Sequence, residues 1–484
     1  MDSPAILVAR FLRTNNYTET LAAFVKEAGL PPDAGANPTK DDITIEKVLE
    51  EKKVFDLSLN FERLGFDEKE KGWRESAPSI PTIVTLPSSS NILNVSVDRV
   101  LTKGLETGRP LLLTSTADRR FSQLDATSPS LELLRSDTSL QDSPVLSYTI
   151  LDQRYIICSS MSGKVIVYDF VEERICDERR DHNKYVVKVT HYKDEDTTWI
   201  ATAGWDGKVF VYHINTSDGS PKLSEPISSL SLPTNPEALL VIPHPDAPFP
   251  LLIVTRRDST FLYYYGLFAP PFASSESTTV PLLGRQNLAP HSNAWIAFTP
   301  SAIALHPKNP SLLAIATSSV PHMKLLIVRL LLPPPDGDTA LLSLPPLSDI
   351  PTAPTSLLSD SANPTQASQA RAALALQECE DAAIQINAST LAPQTPYSTP
   401  ALAWRPDGNG VWVNGDDGVV RGVEARSGKV VARLGGLGYK GGEGHEPGSK
   451  IRCLWAGWVG VGSEEQEWVV SGGFDRRCVV WRVR

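Results

Sequence analysis

Apolar positions follow two different rhythms along the chain. From Ile6 to Leu30 they recur at helical spacing, first Ile6, Leu7, Phe11 and Leu12, then Tyr17, Leu21, Phe24 and Val25. Thr14-Asn15-Asn16 breaks the pattern with residues that favour helix caps and left-handed turns. Gly29 and Pro31-Pro32 end it. Two helices of roughly eight and twelve residues are predicted, too short to bury their apolar faces alone, so they must pack on a second copy or on other parts of the chain. Residues 41–65 read as helix again, with Asp42 and Thr44 as caps and Ile45, Val48, Leu49, Phe55, Leu57, Leu59 and Phe61 as apolar surface.

Further along, the rhythm changes to period two and repeats. Each unit is an alternating strand, a second strand ending in small or polar residues, a tight turn, and an aliphatic third strand. WIATAGWDGKVFVYHI (199–214) and WVVSGGFDRRCVVWRV (468–483) are the clearest copies, and LLAIATSSVPHMKLLIVRL (312–330) is the most eroded. Seven units are predicted. The seventh stops at its third strand, and the β-rich run 81–87 is expected to complete it as the outer strand, which removes a free sheet edge. Two insertions are expected between units: 269–293 between the fourth and fifth, and a Pro/Ser-rich stretch at 331–396 that includes a short helix near 371–384.

Composition narrows the function classes. The 484 residues are 41% apolar and 21% charged, the balance of a soluble globular chain. The formal net charge of −10 argues against a nucleic-acid partner, which needs a basic face. No uninterrupted apolar run approaches 18 residues, so no membrane partner is expected. Five scattered cysteines, none in a C-x-x-C pair, point to reduced thiols in the cytoplasm or the nucleus. The glycine-rich run near 436–450 lacks the spacing of a phosphate-binding loop, and no H-E-x-x-H or carboxylate cluster is present. Catalytic, metal and cofactor residues are therefore expected to be none, and the chain reads as a binding scaffold and not an enzyme.

Two resemblances sharpen this. Phe11-Leu12, Tyr17, Thr20, Phe24 and Glu27 resemble the LisH motif, which implies a homodimer through Ile6, Phe11, Leu12, Tyr17, Leu21 and Phe24. The repeats resemble WD repeats: six residues separate the turn Asp from the third-strand aromatic in Asp206→Tyr212, Asp258→Tyr264 and Asp475→Trp481. The implied fold is an all-β, seven-bladed propeller over 81–484, preceded by an all-α LisH module (1–32), a helical extension (33–65) and a linker (66–80). The resemblance further implies buried tetrads in the third unit (His182, Thr202, Asp206, Tyr212) and the seventh (His445, Ser471, Asp475, Trp481), the other blades being left to aliphatic packing. It also places the residue before each turn Asp on the narrow top face: Ala117, Met161, Trp205, Arg257, Asp416 and Phe474, with Tyr185 nearby. Arg256-Arg257 and Arg476-Arg477 would add positive potential suited to acidic peptide segments. LisH-propeller proteins act as dimeric adaptors for protein partners. The specific settings left open are ubiquitin-ligase complexes, dynein and microtubule regulation, and transcriptional co-repressors.

Overall fold

The structure is a computed structural model that describes residues 4–36, 73, 75–194, 197–215, 221–268, 280–292, 297–334, 366–436, 443–461 and 464–483. The chain forms two compact units, Met1–Lys71 and Gly72–Arg484. Residues 37–65 of the expected helical extension lie outside the described residues, as do 269–279 and 293 of the first insertion and 335–365 of the second.

In the first unit, helices Pro4–Thr14 and Thr18–Glu27 make a hairpin around Ala9, Leu21 and Ala34. The turn works because Asn16 takes a left-handed conformation (φ 58°). The chain after the second helix folds back on the first: Arg13 donates to the carbonyls of Pro32 (3.1 Å) and Ala34 (3.3 Å). At Gly35, a Cβ would lie 2.9 Å from the Arg10 backbone, so only glycine fits.

Strands of the second unit form seven antiparallel sheets among the described residues, six of four strands and one of five. Their innermost strands touch in sequence order around a closed ring, with blade 7 (Ile451–Val461) against blade 1 (Ile92–Val100). This is a seven-bladed β-propeller. A separate apolar cluster fills each gap between neighbouring blades, such as Trp412, Val420, Val469, Val479 and Trp481 between blades 6 and 7. Both faces of each sheet are thereby packed, which is why second strands such as Arg109–Thr116 are buried almost continuously instead of alternately.

The ring closes through Ile80–Ile83, which pairs with the last strand, Cys478–Arg482, as the outer strand of blade 7. Closure therefore uses the start of the 81–87 run and not its Leu86-Pro87 end. Residues 66–80 are not wholly a linker either. Trp73 belongs to the propeller unit, its ring 4.9 Å from that of Trp412 and 4.3 Å from the Arg405 guanidinium. Gly410 and Gly422 make room for it, since a Cβ there would come within 2.4 and 2.3 Å of the indole. The stack covers a buried ion pair, Arg405 to Glu467 (2.6 Å), which joins blade 6 to blade 7.

The insertions also need correcting. Leu282–Asn287 is the outer strand of blade 4, and Ile384–Pro393 is the outer strand of blade 5. Both insertions thus interrupt a blade before its last strand instead of separating two blades. The stretch 331–396 is not one insertion: helix Gln366–Ala383 leads directly into that strand. Glu380 of the helix accepts a hydrogen bond from the Asn287 backbone N–H (2.7 Å), fixing the helix to blade 4. Among the described residues no helix is long and apolar enough to cross a membrane.

Candidate functional site: the narrow face and its supports

The polar supports of the blades come first, because they hold the surface residues in place. In blade 7, the Trp481 indole N–H donates to Ser471 Oγ (3.0 Å). Ser471 Oγ lies 2.8 Å from His445 Nε2, and His445 Nδ1 lies 2.9 Å from Asp475. The carboxylate can only accept, so Nδ1–H donates to Asp475, and in that neutral tautomer Nε2 accepts from the serine hydroxyl. Asp475 also accepts the backbone N–H groups of Glu446 (2.9 Å) and Arg477 (3.2 Å). Blade 3 repeats this with His182 Nε2 2.9 Å from Thr202 and Nδ1 3.1 Å from Asp206. There the Tyr212 hydroxyl reaches further than an indole would and donates to Asp181 (3.0 Å). Gly204 and Gly473 are required beside the imidazoles, because a Cβ would lie 2.3 Å from His182 Nδ1 and 2.5 Å from Asp475 Oδ1. These buried serine, histidine and aspartate groups present no exposed nucleophile.

Not every other blade rests on aliphatic packing alone. In blade 6, Arg421 grips the turn carboxylate of Asp417 through both terminal nitrogens (3.0 and 2.5 Å). In blade 1, Asp118 accepts from Ser88 (2.7 Å) and from Thr116.

Asp206 and Asp475 titrate below the ordinary aspartate value of 3.8. Burial pushes each upward, and hydrogen bonds from His182 or His445 and from the turn N–H groups outweigh it. A depressed folded-state pKa gives stability that is complete above the unfolded value and is lost as pH falls through the folded one. Acid unfolding is therefore expected to steepen below about pH 4. In Asp206→Asn/Asp475→Asn, urea midpoints measured against pH should be lower at neutral pH and should flatten in that acid range. Unchanged curves would show that these carboxylates contribute nothing.

On the narrow face, equivalent residues are held in equivalent ways. The backbone N–H groups of Ala117, Met161, Trp205, Arg257 and Phe474 donate to Asn91, Pro144, Tyr185, Asn235 and Lys450 carbonyls, each just before its blade's first strand. Trp205 and Tyr185 stack with centroids 5.5 Å apart, and both remain 39% exposed. Phe474 is equally exposed, and the Arg452 guanidinium lies 6.0 Å from its ring. Met161 is partly covered. Asp416 is engaged by Lys450 (3.1 Å) and Ser398 (2.5 Å).

The paired arginines are less available than their sequence implied. Arg256 bonds Thr234 (3.0 Å) and the Tyr263 hydroxyl (2.7 Å), Arg257 pairs with Glu237 (2.8 Å), and Arg477 pairs with Glu446 (3.0 Å). Among the described residues Lys188 and Arg452, on the innermost strands of blades 3 and 7, have no ion-pair partner, and neither was among the residues expected on this face. Their signal was present as a charged residue near the start of an otherwise apolar first strand, V-V-K-V and I-R-C-L.

On the helical module, Leu21, Leu12 and Phe24 are spent on the hairpin's own core. Ile6 and Phe11 are partly exposed, and Tyr17 is exposed with its ring 6.4 Å from that of Phe11. Among the described residues no group of His, Cys, Asp or Glu is arranged to hold a metal ion. All five cysteines are free, and burial pushes the Cys453 thiol up to about 12.

No curated protein sequence matches the chain. The solved structure of Saccharomyces cerevisiae Sqt1 aligns with a TM-score of 0.49 and 11% identity over 84% of this chain and 100% of that one. The LisH domain of the UCP007778 family matches residues 5–32, and the family's β-propeller domain matches residues 86–279 and 293–436. A LisH module followed by a β-propeller, matched over most of its length, makes this chain a member of the UCP007778 family.

Proposed function

We propose that the chain is a noncatalytic, dimeric scaffold that binds protein partners on the narrow face of its propeller. The observation that carries this reading is the exposed Tyr185–Trp205 stack together with Phe474, all anchored by backbone hydrogen bonds on the rim of one ring. Rigid, solvent-facing aromatic rings lose little conformational entropy on binding and are enriched at interface hot spots. The helical module supplies the second half of the proposal. Ile6, Phe11 and Tyr17 remain on its surface after the hairpin core has formed, a face suited to a second copy. Doubling the propeller would raise avidity for partners that offer two sites.

One experiment addresses both halves. The tagged full chain and two variants, Trp205→Ala/Phe474→Ala and Ile6→Glu/Phe11→Glu, are recovered from native cells and compared by mass spectrometry and sedimentation. The first variant is expected to stay dimeric and lose its partners, at about 2 kcal/mol or more per anchor. The second is expected to sediment as a monomer. Retention of every partner by the first would refute the narrow-face assignment, and an unchanged mass for the second would refute the dimer.

A further inference from the structure

We propose that the mouth of the propeller channel takes an anionic side chain, carboxylate or phosphate, from an extended segment of a partner protein, with Lys188 and Arg452 as its recognition groups. This rests on reading the narrow face as the protein-binding surface, and it names the chemistry that surface selects.

The geometry begins with the innermost strands. In six of the seven blades the first strand carries an irregularity at the same place, near its start. Examples are Val186/Lys188 in blade 3, Pro236/Ala238 in blade 4 and Ile451/Cys453 in blade 7. Such bulges re-aim the side chains beside them. Arg452 is the extra residue of the blade 7 bulge, and Lys188 is the residue that follows the blade 3 bulge. Both lie near the narrow-face start of an innermost strand, so blades that do not adjoin each place one cation on the same rim.

Among the described residues neither cation has an ion-pair partner, and the buried Arg452 Nε–H has no acceptor. Three other cations of this face are already engaged: Arg257 by Glu237 (2.8 Å), Lys450 by Asp416 (3.1 Å) and Arg477 by Glu446 (3.0 Å). Glu237 is the one carboxylate facing Lys188 from a neighbouring blade, and its hydrogen bond goes to Arg257. Lys188 is exposed on this rim and Arg452 is half-buried. Partial withdrawal from bulk water shifts the Lys188 amine and the Arg452 guanidinium downward, and the charge of Arg452 adds to the shift on Lys188. An anion bound at this rim would offset the charge of Lys188 and satisfy the orphaned Arg452 donor. The flanking rings, Phe474 beside Arg452 and the Tyr185–Trp205 stack beside blade 3, offer apolar contact to residues on either side of the acid. The net charge of −10 weighs against a polyanionic nucleic acid and favours a short segment presenting one acid.

The test uses the full-length chain and a phage-displayed pool of random decapeptides. Selected peptides are resynthesised with glutamate, phosphoserine or glutamine at the enriched position and measured by fluorescence polarisation. The wild type is expected to enrich an acid at one position and to lose roughly tenfold or more in affinity when that acid becomes glutamine. The comparison of glutamate with phosphoserine identifies which anion fits. Lys188→Gln/Arg452→Gln should bind the acidic and glutamine peptides within about twofold of each other. Lys188→Glu/Arg452→Glu should instead enrich lysine or arginine, a gain that misfolding cannot imitate. An acid preference that persists in the Gln/Gln variant would overturn the assignment, as would a wild type that binds oligonucleotides in preference to peptides. Peptides without acid preference whose binding is abolished by Trp205→Ala/Phe474→Ala would overturn the anion site and leave the narrow-face reading intact. Selection of no peptide at all would overturn both.

Discussion

Glu467→Ala is expected to lower the unfolding free energy by about 3–5 kcal/mol, measured by urea denaturation. Glu467 and Arg405 are 2% and 1% exposed and join blades 6 and 7 through three hydrogen bonds, the shortest 2.6 Å. Truncating the acid leaves a guanidinium sealed beneath Trp73, with Asp407 at 3.5 Å as its remaining acidic neighbour. The loss thus measures an uncompensated buried charge more than the worth of the pair. A double variant, Arg405→Met/Glu467→Leu, removes both charges at similar volume and is expected to recover most of that stability. Trp73→Ala should give a smaller loss, because it opens the pair to water and also uncovers Trp412. If Glu467→Ala melts like the wild type, the pair does not hold these two blades together.

Thr82→Pro is expected to cost about 3 kcal/mol and to promote aggregation, while Pro81→Ala stays within about 0.5 kcal/mol of the wild type. The register explains the contrast. Thr82 lies opposite Val480, and Val84 N–H donates to the Cys478 carbonyl at 2.9 Å. Positions two apart share that inward orientation, so Thr82 N–H faces the last strand. Pro81, which has no N–H, falls on the outward side, where an edge strand tolerates proline. A proline at 82 would break the ladder that joins the two ends of the ring and expose the edge of Cys478–Arg482 to other chains. Thermal melting with light scattering would register both effects. Equal behaviour of the two variants would mean that the closing strand is not paired in solution.

What could be read from sequence divides along a physical line. The seven-unit count was legible because tight turns and alternating strands are local, and the six-residue interval from Asp475 to Trp481 survives even where the dipeptides have decayed. Closure by the chain's early β-run was legible because blade 7 visibly lacked a strand. The outer strand of blade 5 was missed although Ile384, Ile386 and Ala388 alternate with Gln385, Asn387 and Ser389. An alanine-rich helix and a Pro/Ser-rich stretch on its N-terminal side hid the period. Arg405–Glu467 and Lys188–Arg452 could not be found that way, because each pair joins residues far apart in the chain and belongs to the ring as a whole. The Arg256-Arg257 and Arg476-Arg477 dipeptides show the opposite error: adjacent charges looked available, and folding gave all four partners or polar contacts that occupy them, Arg476 through Ser89. In blade 6, Arg421 holds the turn carboxylate where blades 3 and 7 use a histidine, and it lies only four residues beyond Asp417.

The closing strand also sets an order of events during synthesis. Residues 80–83 leave the ribosome before every other strand of the propeller, and their partner, 478–482, leaves after every other propeller strand. Six blades can form in the meantime, yet blades 1 and 7 cannot be joined until residues 478–482 have been made. Throughout that interval the inner strand of blade 1 lacks one neighbour, and Ile80 and Ile83 travel on an unpaired segment. Forming the ring is then a loop closure over nearly the whole propeller, the kind of long-range contact that slows folding and prolongs exposure of strand edges. The cell's demand on chaperones for this protein should accordingly peak when residues 478–482 emerge, concentrated on one joint.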